Sequence, residues 1–470
     1  MPQGQITLLK GDAIGVETDY RDNLPVNMSG VMRPMFGAQG YMLEQPGIVQ
    51  LGAGSGIDRG GVWNERFEDH YRVSGNRFIS VTKNGAISPL GEITGVTTAS
   101  LPYSFNTQGI VADGRFWLYD PAGGFREVTD PDLGDPIDGV WINGVYIFTD
   151  GEFLYRTNVA DESQIDPLKF ATAEFSPDPT LGVGKTTDNK LIAFGRYSTE
   201  YFRANPVDPN FSYARIESRA IKAGPIGTHA KIEIEGMWYV LGGRKEEGVS
   251  IHRLGVGSIE NVASREVHKL IGIYQETQLG QVVMEAREQD NYHYLIAHLP
   301  NETLLFNITL AKAVGIEQAW SILKTDTDGD AQWRAKHGIF DPRLGKWVYG
   351  DKIDDRIGFL DESLNTHYGE QVEWLLYTPF ILLESASIDE FQIEIMPGHT
   401  LADDATVFFS LTYDGVTFGK EYTLDYGAPS GYNTRFIARR LGYVSNWFGL
   451  KLRGVSTSRM GFSRGLLNYG

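Results

Sequence analysis

Apolar positions in this chain fall in short aromatic-rich runs broken by polar turns. The clearest are Tyr71–Ser80, Gly114–Asp120, Gly144–Gly151, Lys190–Tyr197, Gly236–Gly242, Tyr292–His298 and Gly345–Gly350. Each reads as a strand, a turn and the start of a second strand. Their starts are 43, 30, 46, 46, 56 and 53 residues apart, about 46 on average. Four-stranded propeller blades recur every ~40–50 residues. A single blade cannot cover its own faces, so blades stack around an axis and bury aromatics between them. The spacing predicts an imperfect β-propeller of six or seven blades over residues 46–372, and the step of 30 suggests that one hairpin lies within a blade. One segment, Ser258 to Gln275, reads as a helix, with Ile259, Val262, Val267, Leu270, Ile271 and Tyr274 close to helical spacing.

The pattern changes after Glu370. Glu373–Ile381 is a long apolar strand pair interrupted by Pro379, and Phe391–Ile395 alternates as a half-buried strand does. Val407–Tyr413 leads into Asp414-Gly415, a hairpin signal, and Phe436–Arg453 supplies two further strands. Residues 373–470 therefore read as a separate β-sandwich, jelly-roll-like in its pattern. Residues 1–45 carry Pro2, Pro25, Pro34, Met28, Met32, Met35 and Met42 and read as an extended N-terminal arm. The fold class expected is all-β.

Composition strengthens this reading. Glycine is 55 of 470 residues, about 12 % against a typical ~7 %, and aromatics are 12 %. Tight turns need the first and pleated faces accept the second. The net charge of −18 argues against a general nucleic-acid coat, which needs basic surface to displace counterions. With no cysteine, disulfides, thiolate metal sites and cysteine nucleophiles are excluded. No basic stretch precedes the first apolar run, so no secretory signal is expected. The longest apolar run, Trp374–Leu383, is too short to span a bilayer, and no membrane insertion is expected.

Motifs that would carry catalysis fail on their own chemistry. Gly184-Lys185-Thr186 resembles the end of a phosphate loop, but Pro179 stands where the first glycine is needed. Gly52-Ala-Gly54-Ser-Gly56 has Ile57 at the third dinucleotide glycine and no βαβ unit around it. Asp326, Asp328 and Asp330 mimic a calcium loop, but Ala331 replaces its glycine and His337 its final glutamate. Ser321-Ile-Leu-Lys324 has the serine–lysine spacing of penicillin-binding enzymes but alternates as a strand. His293 and His298 share a strand at an odd separation and point to opposite faces. Thr412–Phe418 is similar to a sialidase aspartate box with one residue missing, and even a true box is a structural hairpin. Paired carboxylates for glycoside cleavage stay open, because sixty acidic residues permit any pairing. No catalytic, cofactor or metal residue is assigned.

One asymmetry survives. Arg435, Arg439, Arg440, Lys451, Arg453, Arg459 and Arg464 lie in the last 36 residues with no Asp or Glu, leaving −25 on residues 1–434. They are either solvated strand faces or a docking surface for an acidic partner such as a neighbouring copy. The partner-binding candidates are Arg435, Arg439, Arg440, Lys451 and Arg453.

Short segments along nearly the whole chain carry a family resemblance. They are Leu24-Pro-Val-Asn-Met28, Gly40-Tyr-Met42, Pro46-Gly-Ile48, Arg59-Gly-Gly-Val62 and Tyr71-Arg-Val-Ser-Gly75 near the start. Phe194-Gly-Arg-Tyr-Ser-Thr-Glu-Tyr-Phe202, Gly224-Pro-Ile-Gly-Thr228, Tyr294-Leu-Ile-Ala-His-Leu-Pro300, Trp320-Ser-Ile-Leu-Lys-Thr325 and Tyr349-Gly-Asp-Lys352 follow. The last are Leu375-Leu-Tyr-Thr-Pro-Phe380, Thr412-Tyr-Asp-Gly-Val-Thr-Phe-Gly419 and Phe448-Gly-Leu-Lys-Leu-Arg453. In order, spacing and total length the chain resembles the packaged-DNA stabilization proteins of short-tailed bacteriophages, the tail hub or nozzle proteins of podoviruses. The resemblance implies a non-enzymatic virion protein without cofactors, made in the host bacterial cytoplasm and built into the virion tail. It implies binding below the portal and its adaptor ring (the head-to-tail connector) after packaging, as a hexamer of its own copies. Such a hub lengthens the channel, retains the genome, meets a tail needle or plug and the tailspikes, and passes double-stranded DNA as non-specific cargo. The alternatives are a receptor-binding or glycan-cleaving propeller, which needs a carboxylate-lined pocket at the axis, and an unrelated propeller scaffold. Fold class alone does not separate them.

Overall fold

The computed structural model describes residues 3–6 (backbone), 24–34, 38–159, 161–208, 211–326, 332–396, 398–414 and 417–470. Among them, seven small antiparallel sheets follow one another along the chain, at 58–92, 108–127, 138–172, 180–215, 224–261, 283–323 and 335–361. They are blades 1 to 7 of a β-propeller. First strands of successive blades meet around the axis, and the first strand of blade 7, Ala335–Asp341, touches that of blade 1, Asp58–Asn64. The ring is locked by the N-terminal side of the chain. Gly47–Ala53 pairs antiparallel with Arg356–Asp361 and becomes the fourth strand of blade 7.

The seven segments legible in the sequence are the second strands of the seven blades. The reason is burial on both sides. In Val145–Thr149, Val145 and Ile147 pack with Val183, Leu191 and Phe202 of blade 4, while Tyr146 and Phe148 pack with Phe116 and Leu118 of blade 2. A strand covered on both faces needs a continuous apolar run rather than alternation. The step of 30 is no hairpin within a blade: blade 2 has three described strands, Gln108–Ala112, Arg115–Asp120 and Gly124–Glu127. Hairpins between first and second strands turn at Asp113-Gly114, Asn143-Gly144, Glu235-Gly236 and Asp290-Asn291, every one of these residues at positive φ. That geometry matches the right-handed twist of the flanking strands.

The helix expected over Ser258–Gln275 is shorter. Ile259–Asn261 is instead the edge strand of blade 5, paired with Ser250–Leu254. The helix proper is Arg265–Gly272, whose first turn is capped by the Ser264 hydroxyl accepting from the Val267 N–H. Glu276–Leu279 adds one turn, and a further helix, Ile308–Val314, is capped by Asn307.

The second unit is a two-layer sandwich. One sheet contains Ala386–Ile395, Phe436–Val444 and Gly461–Tyr469; the other contains Trp374–Tyr377, Thr406–Thr412, Tyr422–Asp425 and Trp447–Val455. Phe391, Phe409, Leu452 and Phe462 are fully buried between them. The segment read as an arm is paired: Met28–Val31 and Tyr41–Glu44 form a hairpin whose second strand joins Gly461–Tyr469, and Gln3–Ile6 pairs with the same strand. Val26 bridges Ile322 of blade 6 and Leu375 of the sandwich, and the Asn27 side chain donates to the Glu373 carbonyl and accepts from the Lys324 N–H. The N-terminal segment thus ties propeller to sandwich.

Candidate functional site

The innermost strands carry polar residues beside glycines: Asp58 with Gly60, Gln108-Gly109, Asp138-Gly139, His337-Gly338. The glycines leave room for ion pairs. A Cβ on Gly61 would come within 2.9 Å of the Arg72 guanidinium, and one on Gly182 within 2.7 Å of the Asp138 carboxylate. Asp58 takes a bidentate fork from Arg72 at 2.6 and 2.9 Å and lies 2.7 Å from His337 Nδ1. His337 sits at a β-bulge in the first strand of blade 7, at φ 55, which aims its ring across the closure of the ring. Glu285 of blade 6 lies 2.8 Å from His298 Nε2 and accepts from the His337 and Gly338 N–H groups of blade 7. Asp138 of blade 3 accepts from Lys231 of blade 5 at 2.7 Å, from the Val183 N–H of blade 4 at 2.9 Å and from Ser100. Charge, not an open bore, fills this part of the axis.

Burial opposes ionisation here; the partners prevail at the carboxylates, and burial prevails at the histidines and at Lys352. Burial pushes Asp58 up, but Arg72 and His337 hold its carboxyl below the usual range. Asp138 is held down by Lys231 and His229 against the same burial. Glu285 is held well below its ordinary value by His298 and His337, again against burial. Burial pulls His70 and His229 to about 4 and His298 to about 3. Burial, with Lys336 nearby, lowers Lys352 to about 7.

All these shifts act in one direction. Folding leaves each group binding fewer protons than in the unfolded chain, so stability falls on acidification. The histidines lose stability between their ordinary 6.5 and about 3 to 4. The carboxylates add to the loss below about 4, and Lys352 extends the slope between 10.5 and about 7. The melting temperature should fall stepwise from about pH 8 to about 6 and again to about 4.5, read by calorimetry. A constant melting temperature over that range would contradict the burial of these groups.

The sequence-derived cations do not form one patch. Arg435, Arg439 and Arg440 lie at the edge strand Phe436–Val444 of one sheet; Lys451 and Arg453 lie on Trp447–Val455 of the other. Arg439 pairs with Glu390 at 2.9 Å and Arg435 donates to Gln392 at 2.8 Å. Arg440 is exposed, at φ 60. Lys451 stands over the Tyr377 and Phe418 rings. Arg453 is held by Glu373 at 3.0 Å and Glu421 at 2.7 Å, which with burial opposing raises its already high pKa.

The discarded motifs have structural places. Lys185 ends a strand and Thr186 starts a turn; Ser321 lies in the strand Trp320–Leu323. His293 lies 3.4 Å from Glu235 while His298 faces Glu285. Asp414 accepts from the Thr417 N–H at 2.7 Å, while Gly415 and Val416 lie outside the described residues. Of the calcium-like segment, Asp328, Asp330 and Ala331 also lie outside them. Among the described residues no group of three or more His, Asp or Glu is placed to hold a metal ion. Among the described residues no helix is long and apolar enough to cross a membrane. The axial ion pairs escaped the sequence reading; a polar residue beside a glycine ahead of the aromatic strand, in blades 1, 2, 3 and 7, is the signal that points to them.

A ring of seven blades closed by an N-terminal strand, charge-filled along its axis and tied to a two-sheet sandwich, defines the class: a propeller–sandwich protein. The similarity to known proteins follows both units. The chain belongs to the bacteriophage P22 Gp10 family, with residues 4–365 matching its β-propeller and residues 373–469 its β-sandwich. The tail hub protein gp10 of Salmonella phage P22 is 26% identical over 475 residues, 97% of this chain and 98% of that protein. Among solved structures, a catalytically inactive virginiamycin B lyase from Staphylococcus aureus is similar at TM-score 0.45 and 12% identity, over 67% of this chain and 97% of the lyase. The Pan2 WD40 domain of Neurospora crassa is similar at TM-score 0.42 and 10% identity, over 67% of this chain and 96% of that domain.

Proposed function

We propose that this chain is a structural hub of a short-tailed phage tail. It docks below the portal and adaptor ring after packaging and assembles as a hexamer. It extends the channel, retains the genome and conducts DNA on ejection, with the tail needle and tailspikes as further neighbours. The observation that carries this reading is the match to a tail hub protein along almost the full length of both chains. The filled axis supports it. Side chains of Asp58, Arg72 and Asp138 are buried in the middle of the propeller, so a duplex needs a lumen enclosed by several copies. A head-to-tail contact whose rotation closes supplies such a ring. At −18 each, the copies taken whole repel rather than attract a phosphate backbone. The carboxylates of the axis are committed to cations and N–H groups, which favours a non-catalytic role.

The test is DNA retention. Genome-filled capsids with portal and adaptor but without this protein are supplied with it, and nuclease-resistant DNA is followed over time. Retention that rises and saturates near six copies per particle is expected; absence of binding at any concentration would discard the reading.

We propose further that Arg435, Arg439 and Arg440, on the sandwich edge, steer this assembly toward an acidic neighbour, while Lys451 and Arg453 brace the other sheet. Charge pairs of this kind act mainly on association rate. Arg440→Glu should slow attachment to capsids and flatten its salt dependence, followed by light scattering. Attachment equally fast at low and high salt in the unmodified protein would exclude this steering.

A further inference from the structure

We propose that the propeller binds a neutral oligosaccharide in a cavity on the face where its innermost strands run out. The cavity measures about 710 Å³, within the usual range for a small-ligand site. Its walls come from five consecutive parts of the ring. Glu65 and Arg66 follow the first strand of blade 1, and Phe105 precedes blade 2. Trp141 is near the end of the first strand of blade 3, and Lys185 ends that of blade 4. Glu233 and Trp238 flank the first hairpin of blade 5.

The aromatic walls are held by their neighbours. Phe105 meets Trp141 edge-on at 4.9 Å, and its carbonyl accepts from Arg66 Nε at 3.2 Å. Lys185 stands 5.9 Å over the Trp141 ring. The Trp238 indole N–H donates to the Lys185 carbonyl at 3.1 Å, and its ring packs on Phe194 at 4.9 Å. The wall beside Trp238 is a glycine: a Cβ on Gly184 would lie 2.7 Å from the indole. Pre-held rings of this kind lose little freedom when a ligand stacks on them.

Charge selects the class of ligand. Two carboxylates, Glu65 and Glu233, are balanced by two cations, Arg66 and Lys185. A phosphate meets both carboxylates and a basic peptide meets both cations, so neither is favoured. The neighbouring cavity on blades 5 to 7 differs, with Glu233, Glu235, Glu288 and Asp290 in its lining. A sugar fits the balanced site. Its C–H faces stack on indole and phenyl rings, and its hydroxyls both donate to carboxylates and accept from ammonium and guanidinium groups. The site would give a tail protein a contact with surface polysaccharide, and the inference does not rest on the hub reading.

The test uses the full-length protein and a panel of neutral hexose and deoxyhexose tri- to hexasaccharides, titrated against tryptophan fluorescence. A proline-rich and a lysine-rich peptide are run alongside. Saturable quenching by at least one oligosaccharide is expected, weakened about tenfold by Phe105→Ala and by Glu233→Gln. Phe105 is 67% exposed, so its truncation leaves folding intact, checked by an unchanged melting temperature. No saturable binding by any oligosaccharide, binding that survives both substitutions, or binding of a peptide in place of the sugars would overturn the proposal.

Discussion

Replacing Asp58 with alanine is expected to lower the unfolding free energy by about 3–5 kcal/mol. Asp58 and Arg72 are 3% and 0% exposed, and their fork has no route to water. Without the carboxylate, the Arg72 guanidinium keeps its charge and loses its best partner. The carbonyls of Lys336 and His337, at 3.4 and 2.8 Å, and the neutral His70 ring, with Nε2 at 3.3 Å, are then what faces it. His337 loses its acceptor in the same step, so the junction between blades 7 and 1 is weakened from both sides. The cost is that of a stranded buried charge, not the net worth of the pair. Replacing both partners with apolar groups, as in Asp58→Leu with Arg72→Met, should therefore recover a large part of the loss. Arg253→Ala is the control. That pair with Glu260 is 40% and 58% exposed, and its removal should cost below about 1 kcal/mol. Urea titration of the four proteins checks the set. A loss at Asp58→Ala no larger than at Arg253→Ala would show that the axial charges are screened by water.

The second large effect is expected at the closing strand. Ile48→Asp should destabilise the protein by about 4 kcal/mol or more, because it buries an unpaired carboxylate. Ile48 is 1% exposed and packs in the cluster that joins blades 6 and 7, with Tyr349, Leu305 and Leu360. It sits opposite Leu360 in the pairing that locks the ring. Once Gly47–Ala53 is displaced, Arg356–Asp361 becomes a bare sheet edge. Opening should then start there, so the amides of blade 7 should exchange with solvent before those of blades 2 to 4. Gly47→Ala is a milder probe of the same lock, since its Cβ would come within 2.6 Å of the Thr366 carbonyl. Hydrogen exchange with mass spectrometry reads both variants. Uniform exchange around the ring would mean that the closure is not its weakest seam.

The residues argue for a division between what one chain segment can show and what needs several. The all-β class, the propeller, the sandwich and each blade's second strand are visible in the sequence. Those strands are largely buried on both faces and run mainly apolar, as Leu191–Gly195 does, with Asp69–Ser74 and its buried His70 and Arg72 the exception. Outer strands leave little trace: Gly124–Glu127 is half exposed and carries charge. Inner strands look like turns, because charge and glycine are what the crowded axis demands. The end of the chain reads as one basic block, yet folding places its arginines in two opposed sheets, where partners such as Glu390 and Glu421 come from other strands.

The sequence by itself therefore determined the repeat and the two-unit plan, since burial of a single strand is a local property written in its own residues. Tertiary structure decided the rest. The lock of Gly47–Ala53 on Arg356–Asp361 joins strands about three hundred residues apart. Asp58 and His337 are 279 residues apart, and Phe105, Trp141 and Trp238 reach one cavity from separate parts of the ring. A propeller brings such residues together only by closing, and no local spacing encodes the partner across a closed ring.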